Sequence, residues 1–159
     1  MHQGPYQGVD MQLLSRRSLL GLAAVVDIAH HSRPTPVAAK ALASRHALPP
    51  RHLETLLQTL VRHNILKGVR GPRGGYELAR ERRRISVGDI VRAAMTDAAG
   101  EDDPAPVSTL VDQVIAPAVN QASQSFLAEL DQITVEDLCR DAERKHVFGG
   151  TPANIDFAI

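Results

Sequence analysis

The sequence predicts a mainly α-helical fold with one small β-hairpin and a long C-terminal helix. Three observations support this fold class. Aromatic residues make up only 3% of the 159 residues and Trp is absent, so the core must consist of Leu, Val, Ile and Ala, a composition that favours helices. Apolar residues recur at helical spacing over most of the chain. A cluster of Gly and Pro at residues 71–75 lies between two short apolar runs and indicates a hairpin.

The length allows one domain with a substantial core, and 43% hydrophobic residues is typical of a globular protein. The charge is distributed unevenly. Residues 1–95 contain fifteen basic and six acidic residues, a net charge of +9, whereas residues 96–159 contain three and twelve, a net charge of −9. A basic half predicts a polyanionic partner. The single cysteine, Cys139, excludes an internal disulfide and fits the cytoplasm, where we expect the protein to be located.

The pattern divides the chain into five segments. Residues 1–10 are polar and Gly-rich, and we expect a flexible N-terminal arm. Residues 11–95 form the basic domain. Residues 96–106 are acidic and rich in Ala, Gly and Pro, which is typical of a linker. Residues 107–146 are predicted to form a long helix and a following helix, and residues 147–159 a loosely ordered tail.

The first predicted helix begins with paired arginines, Arg16 and Arg17, ahead of an apolar run. Such a pair also occurs in twin-arginine export signals. Here Asp27 interrupts the run and no convincing cleavage site follows, so a buried first helix is the better interpretation. No apolar run is long enough to span a bilayer, and we expect no membrane partner. The expected core-facing residues are Leu19, Leu22, Ala23, Val26 and Ala29 or His30.

Two prolines, Pro34 and Pro36, separate this helix from a short Ala-rich helix at residues 37–46. We expect this second helix to turn Ala38, Ala41 and Leu42 inward. After a tight connection, a proline in the first turn suits a third helix at residues 50–64. Its apolar stripe is formed by Leu53, Leu56, Leu57, Leu60 and Val61, and its other faces carry Arg51, His52, Thr55, Gln58, Thr59 and Arg62.

Two helices joined by a short turn, the second with polar residues that can bond bases or phosphates, are typical of a helix-turn-helix. An ordinary helical hairpin is the alternative. The hairpin tip that follows carries Arg70 and Arg73 with little other side-chain bulk, so it fits a narrow, negatively charged groove. The alternative interpretation of this tip is a surface turn whose arginines are solvated. The two elements in succession favour a winged helix-turn-helix domain whose two parts face the same polyanion.

A basic run at residues 80–84 follows the hairpin, and we expect at least part of it to be a solvated loop. Ser86 and Asp89 then form a capping-box pattern, which predicts a short helix that ends near Ala94. The residues that this fourth helix is expected to bury are Val87, Ile90 and Val91.

The long amphipathic helix predicted at residues 107–130 contains Pro117, which must kink or restart it. A capping pattern at Thr134 starts a last helix that ends near His146. A long apolar stripe outside a compact domain needs a partner surface, either on its own domain or on a second copy. We favour a homodimer, since two-fold DNA sites match two-fold proteins. The expected interface residues are Val111, Val114, Ala118, Ala122, Phe126 and Leu130.

The hairpin sequence VRGPRGGYELA at residues 69–79, together with residues 53–66, 85–91 and 130–138, resembles the Rrf2 family of bacterial winged-helix transcriptional regulators. The likeness covers about residues 11–138, and the hairpin is its most specific part. The resemblance implies a homodimer on a palindromic operator, usually as a repressor. It also implies that the third helix enters the major groove and the wing the minor groove.

The resemblance further implies which residues contact DNA. An arginine suits the wing tip because a narrow minor groove concentrates negative potential. The implied contacts are Arg51, His52, Glu54, Thr55 and Gln58 in the third helix, and Arg70, Gly71, Arg73, Gly74 and Gly75 in the wing.

Many members of this family hold an iron–sulfur cluster on three cysteines between the fourth helix and the long helix. Residues 96–118 contain neither Cys nor His, so we expect no cluster and no other cofactor. Cys139 is more typical of a buried small hydrophobe than of a redox sensor. His30 and His31 are adjacent, which suits joint metal ligation poorly, and we expect no metal site.

The leading hypothesis is a cluster-free, sequence-specific DNA-binding repressor. Its signal would be a small molecule in a pocket between linker and long helix, a partner protein or a metal. The alternative is a protein-interaction module that kept the fold but lost its operator. An enzyme lacks support, because no Ser/His/Asp or Cys/His set is apparent and the Gly-rich loop lacks the Gly-Lys-Ser/Thr of phosphate-binding loops.

Overall fold

The computed structural model describes residues 13–98 and 108–148, without the side chains of Asp97 and Ala98. The predicted N-terminal arm, and most of the predicted linker and tail, lie outside these residues. The described parts form helices around one antiparallel hairpin, which confirms the mainly α fold class. The helices are α1 (Arg16–His31), α2 (Ala39–His46), α3 (Pro50–Arg62), α4 (Val87–Ala98), α5 (Ala116–Leu130) and α6 (Val135–Arg144), and the strands are β1 (Leu66–Val69) and β2 (Gly75–Leu78).

The core lies where α1, α3 and α4 meet, and α6 and β1 close it from the sides. The leucines of α3 enter it as predicted, although Val61 is only half-buried. The predicted burial of three residues in α4 is confirmed as well. The fully buried large side chains include Ile28, Leu42, Leu57, Leu60, Ile65, Ile90 and Val135. Among the described helices, none is long and apolar enough to cross a membrane.

The core-facing side of α1 agrees with the prediction only in part. Ala29 is buried, and Leu22 and Val26 are half-buried but pack against the core, whereas the other predicted residues are half-buried without this contact: Leu19, Ala23 and His30. The helix instead buries a neighbouring side that includes two polar residues, Ser18 and Asp27. Because Ser18 and Asp27 are polar, the spacing of the apolar residues alone places both positions on the outside of the helix, and the predicted stripe lies to one side of the buried one. The buried residues of α1 are Ser18, Gly21, Ala24, Val25, Asp27, Ile28 and Ala29.

The predicted inward residues of α2 are confirmed only in part. Leu42 is buried as predicted, but Ala41 is half-buried, Ala38 is an exposed cap residue, and Ala43 is buried instead. An Ala-rich helix offers little contrast between its faces, so its orientation is decided by partners elsewhere. Three residues then connect α2 to α3, a length typical of the helix-turn-helix. The first of them, Ala47, has a left-handed backbone with φ 51°, an uncommon conformation for a residue with a Cβ.

The carboxylate of Asp27 joins α1 to α2 inside the protein. Arg45 donates two hydrogen bonds to it, from Nε to Oδ2 over 2.9 Å and from Nη2 to Oδ1 over 2.6 Å. His46 Nε2 lies 2.7 Å from Oδ2, and His31 Nδ1 lies 3.2 Å from Oδ1. Burial favours the neutral acid, but Arg45 and His46 outweigh it, and the pKa of Asp27 is lowered. The ionised carboxylate therefore holds the first helix of the helix-turn-helix against α1.

Helix α4 starts with the predicted capping box. The Ser86 amide donates to Asp89 Oδ2 and the Asp89 amide donates to Ser86 Oγ, each over 3.0 Å. The helix continues to Ala98, four residues past the predicted end near Ala94. Thr134 and Asp137 form the same reciprocal cap at α6, again as predicted.

A short π-helical stretch, Val111–Ile115, leads into α5. Pro117 has no N–H and cannot bond to the carbonyl four residues back. Immediately before it, the Ala116 amide bonds to the carbonyl of Val111, five residues back. The extra residue in this turn accommodates the proline ring, as π-bulges do at helix irregularities. The expected irregularity at Pro117 is therefore a π-helical turn that leads into α5 without a break in the helical backbone.

Replacing Asp27 by Asn should lower the free energy of unfolding by about 3–5 kcal/mol, the range for breaking a buried, paired charge. Urea denaturation at neutral pH measures this.

Because the folded pKa of Asp27 lies below its ordinary value of 3.8, its contribution to stability is present above that pH and is lost as the pH falls through the folded pKa. The Asp27→Asn variant should therefore lose less stability than the wild type on acidification.

The matched control is Glu81→Gln, which removes an exposed carboxylate that pairs with Arg83 over 2.7 Å at the surface. Its stability should equal that of the wild type, because exposed ion pairs contribute little. An Asp27→Asn variant as stable as this control would contradict the role assigned to the buried carboxylate.

Candidate nucleic-acid interface

The outer face of α3 carries the five residues predicted to read DNA. All five side chains are exposed, because the buried leucines occupy the opposite face of the helix. Within the described parts of the chain, the side chains of Arg51 and His52 form no ion pair or hydrogen bond. The Thr55 hydroxyl donates to the Arg51 carbonyl over 3.3 Å. The five exposed residues are Arg51, His52, Glu54, Thr55 and Gln58.

Thr59, which was predicted on an outer face of α3, is fully buried. Its hydroxyl donates to the Thr55 carbonyl over 3.1 Å and accepts from Arg17 over 3.1 Å and from Arg62 over 3.2 Å. These bonds satisfy the buried oxygen, which is why a threonine is tolerated inside. Arg17, the second of the paired arginines at the start of α1, thus links α1 to α3.

The wing tip presents two cations. Arg70 and Arg73 are exposed, and among the described residues neither has an ion-pair or hydrogen-bond partner for its guanidinium. A hydrogen bond from the Gly74 amide to the Gly71 carbonyl, 2.9 Å long, closes the turn between them. Lower on the wing, Lys67 and Glu77 lie opposite each other and pair over 3.0 Å. The positive charge of the hairpin is therefore concentrated at its tip.

The three wing glycines have a structural role. A Cβ on Gly74 would lie 2.2 Å from the carbonyl oxygen of Val69, and a Cβ on Gly75 would lie 2.4 Å from that of Val37. Gly71 has open space around it but a φ of +117°, which disfavours other residues. The Gly-rich pattern is therefore explained by the backbone of the wing, and DNA contacts of these glycines stay a prediction.

The wing is fixed to the helix-turn-helix by a backbone bridge that the sequence did not predict. The Val37 amide donates to the Tyr76 carbonyl over 2.9 Å, and the Tyr76 amide donates to the Val37 carbonyl over 2.8 Å. Val37 lies two residues before α2, whose N-cap is Ala38, and it is extended rather than part of the helix predicted to begin there. The contact holds the wing at a defined position relative to α2 and α3.

The basic run at residues 80–84 is only partly the solvated loop that was expected. Arg80 donates to the carbonyls of Asn64 and Arg84, each over 3.1 Å, and ties the hairpin to the end of α3. Arg82 pairs with Glu136 of α6 over 3.2 Å. Arg83 and Arg84 are exposed, in agreement with the prediction. Two of these cations therefore stabilise the fold.

The long helix is anchored to α4 at its C-terminal end. Arg92 donates two hydrogen bonds to the carboxylate of Asp131, 2.6 Å and 2.9 Å long. The Val87 amide donates to the Ile133 carbonyl over 2.8 Å, which joins the start of α4 to the chain after α5. Further from this anchor, apolar side chains of the long helix are exposed. These include Leu110, Val114, Ile115 and Val119, which are 61%, 59%, 44% and 55% exposed.

A helix-turn-helix with an adjoining basic wing defines the class of DNA-binding winged-helix proteins. Comparison with known proteins agrees with this class. The model of the Rrf2 family, described as an iron-dependent transcriptional regulator, matches residues 14–141. The protein rrf2 of Nitratidesulfovibrio vulgaris is 30% identical over 138 residues, which cover 81% of this chain and 88% of that protein. A protein of Synechocystis sp. assigned to the HTH-type transcriptional regulators is 36% identical over 135 residues, with the same coverage of 81% and 88%.

Solved structures are similar as well. The IscR of T. potens has a TM-score of 0.64 and 33% identity, and the match covers 83% of this chain and 89% of that one. CymR, described as the global cysteine regulator of B. subtilis, has a TM-score of 0.62 and 29% identity over 80% of this chain and 95% of that one. The chain belongs to the Rrf2 family, and it is a transcriptional regulator rather than an enzyme.

The iron in the family description does not fit a cysteine-ligated cluster in this chain. Such a cluster needs several thiolates, and the sequence contains one cysteine. Cys139 is fully buried in α6, where burial raises the pKa of its thiol despite the nearby Arg82. Within residues 13–98 and 108–148, no three His, Cys, Asp or Glu side chains are grouped as a metal site requires.

Replacing Gly75 by Ala should lower the free energy of unfolding by about 1–3 kcal/mol, because the new Cβ would overlap the backbone of Val37 and strain the bridge. The matched control is Gly68→Ala on the paired strand, where a Cβ meets nothing within 4 Å. It should change stability by less than about 0.5 kcal/mol. Urea denaturation compares them, and equal stabilities would contradict the bridge as the wing's attachment.

Proposed function

We propose that the protein is a homodimeric repressor that binds a palindromic operator in the cytoplasm without a cysteine-ligated iron–sulfur cluster. In this proposal α3 enters the major groove and the wing tip enters the adjacent minor groove. The observation that carries it is the pair of exposed wing arginines, which have no partner among the described residues and are held beside the helix-turn-helix by the Val37–Tyr76 bridge. An arginine that is already paired within the protein would gain little by binding a phosphate, whereas no described residue competes with phosphates for Arg70 and Arg73.

The chemistry of α3 supports base recognition. A helix with its side chains is about 10–12 Å wide, which matches a major groove about 12 Å wide. Arginine pairs with guanine through two hydrogen bonds, glutamine pairs with adenine in the same way, and a carboxylate accepts from cytosine. Arg51, Gln58 and Glu54 supply these three groups on one exposed face. This mixture favours reading a sequence over simple attraction to phosphates.

The proposed dimer is supported by the uncovered apolar stripe of the long helix. Val114, Ala118 and Ala122 of the predicted interface are exposed, and Val111, Phe126 and Leu130 are half-buried. Contiguous exposed apolar surface on a soluble domain marks an interaction site. A second copy offers the same stripe, and a two-fold axis between the copies would present two recognition helices to two half-sites.

Replacing Arg70 by Ala should weaken operator binding by about 1–3 kcal/mol and reduce the slope of log affinity against log salt by about one. The operator is first obtained by sequencing the genomic DNA fragments that the wild type retains. Fluorescence anisotropy at several salt concentrations then gives affinity and slope.

The control for this measurement is Arg83→Ala, which removes an exposed arginine that is already paired with Glu81. Its affinity should stay close to that of the wild type. A flat salt dependence of the wild type would instead favour the alternative, a protein-interaction module on the same fold.

Replacing Val114 by Asp should raise the dissociation constant of the dimer by at least about tenfold, equivalent to about 1.4 kcal/mol, because a charge would be buried in an apolar interface. Sedimentation equilibrium measures this constant. Gln124→Asp adds the same charge to an exposed position on another side of the helix and should leave association unchanged. A wild type that sediments as a monomer would refute the proposed dimer.

A further inference from the structure

A cavity of about 570 Å³ lies between the start of α1, the turn before α3 and the first half of α3. Its floor is apolar. Leu53 and Leu56 are buried core residues whose surfaces close the cavity from below, and Leu20 and Leu48 are half-buried at its sides. A cavity of this size with apolar walls is typical of small-molecule sites. It is separate from the pocket expected beside the linker.

The rim of this cavity carries the two permanent cations of Arg16 and Arg17. Arg16, Arg17 and His52 line it together with Pro49, and no acidic side chain of the described residues does. Helix α1 also has no acidic residue in its first turn, so the partial positive charge of that helix end is not offset locally. Arg17 is engaged with Thr59, whereas Arg16 has no ion pair or hydrogen bond with any described residue.

We propose that this cavity binds a small monocarboxylate with an apolar body. The carboxylate would pair with Arg16, whose planar fork of donors matches two carboxylate oxygens. The apolar body would lie on the four leucines. Charge complementarity favours this ligand class. A neutral apolar molecule would form no ion pair with the arginines, and inorganic phosphate would leave the apolar floor of the cavity exposed to water. The inference rests on the proposed function and gives the signal of that function a site.

The position of the cavity connects it to DNA binding. His52 belongs both to its rim and to the exposed face of α3 that is proposed to read the operator. A carboxylate bound beside His52 would place negative charge next to the surface that phosphates approach. Ligand and operator should therefore weaken each other, and the factor must be the same in both directions.

Isothermal titration calorimetry of the full chain tests this with sodium octanoate as the probe. Octanoate should bind once per chain, and its neutral counterpart octanamide and inorganic phosphate should each bind at least about tenfold more weakly. Saturating octanoate should weaken operator binding, and saturating operator should weaken octanoate binding by an equal factor. Equal affinities for octanoate and octanamide would overturn the assignment of a carboxylate site.

Two variants address the two halves of the site. Arg16→Gln should weaken octanoate binding at least about tenfold, and Leu20→Trp should abolish it by filling the cavity. Arg83→Gln, a surface arginine away from the cavity, should leave octanoate binding unchanged. Melting curves establish that each variant is folded, and if Leu20→Trp unfolds, Arg16→Gln decides alone. Unchanged binding in Arg16→Gln would overturn the proposal.

Other occupants give distinct results. Phosphate that displaces octanoate with comparable affinity would show a seat for a DNA phosphate, and octanoate binding that appears only after removal of residues 1–12 would show that the chain fills its own cavity. Either result overturns the proposed ligand site. Operator binding without octanoate is measured separately, so failure of this inference leaves the proposed function standing, and failure of operator binding is seen independently.

Discussion

The structure depends on the backbone contact between Val37 and Tyr76. The two residues exchange hydrogen bonds, and Gly75 permits the approach because any Cβ there would lie 2.4 Å from the Val37 carbonyl oxygen. This contact attaches the wing to the segment that enters α2. Asp27 in turn attaches α2 to α1 through Arg45 and His46, and a connection of three residues leads from α2 to α3. The wing and α3 are thereby held by polar interactions in one defined relationship.

The features that could be predicted from the sequence are those with local signals. The leucine stripe of α3 follows from the helical spacing of its apolar residues, and the remaining positions of the helix then form its outer face. The caps at Ser86 and Thr134 depend on residues three positions apart, and the helix irregularity beside Pro117 depends on one missing N–H. The hairpin follows from its cluster of Gly and Pro. The positions of the candidate DNA contacts could therefore be predicted, although their partner could only be inferred.

The features that could not be predicted depend on distant partners. Asp27 is buried because Arg45 and His46, 18 and 19 residues away, supply its hydrogen bonds, and no local pattern shows this. The same holds for Thr59, which is satisfied by Arg17 from another helix. Burial of Asp27 shifted the core-facing side of α1 away from the predicted one, whereas burial of Thr59 left the predicted orientation of α3 unchanged. The family description mentions iron, yet one buried cysteine does not provide the ligands of a cluster, so relatives indicate the fold of this regulator more closely than its signal.

Site-specific photocrosslinking tests most directly whether α3 and the wing contact one duplex. A photoreactive residue is introduced at Gln58 of α3 or at Pro72 of the wing tip, both exposed, so that Arg70 and Arg73 remain in place. The account predicts crosslinks from both positions to the same half-site, in adjacent major and minor grooves about half a helical turn, or ~5 bp, apart. Crosslinks from only one position, or from the two positions to unrelated sites, would contradict it.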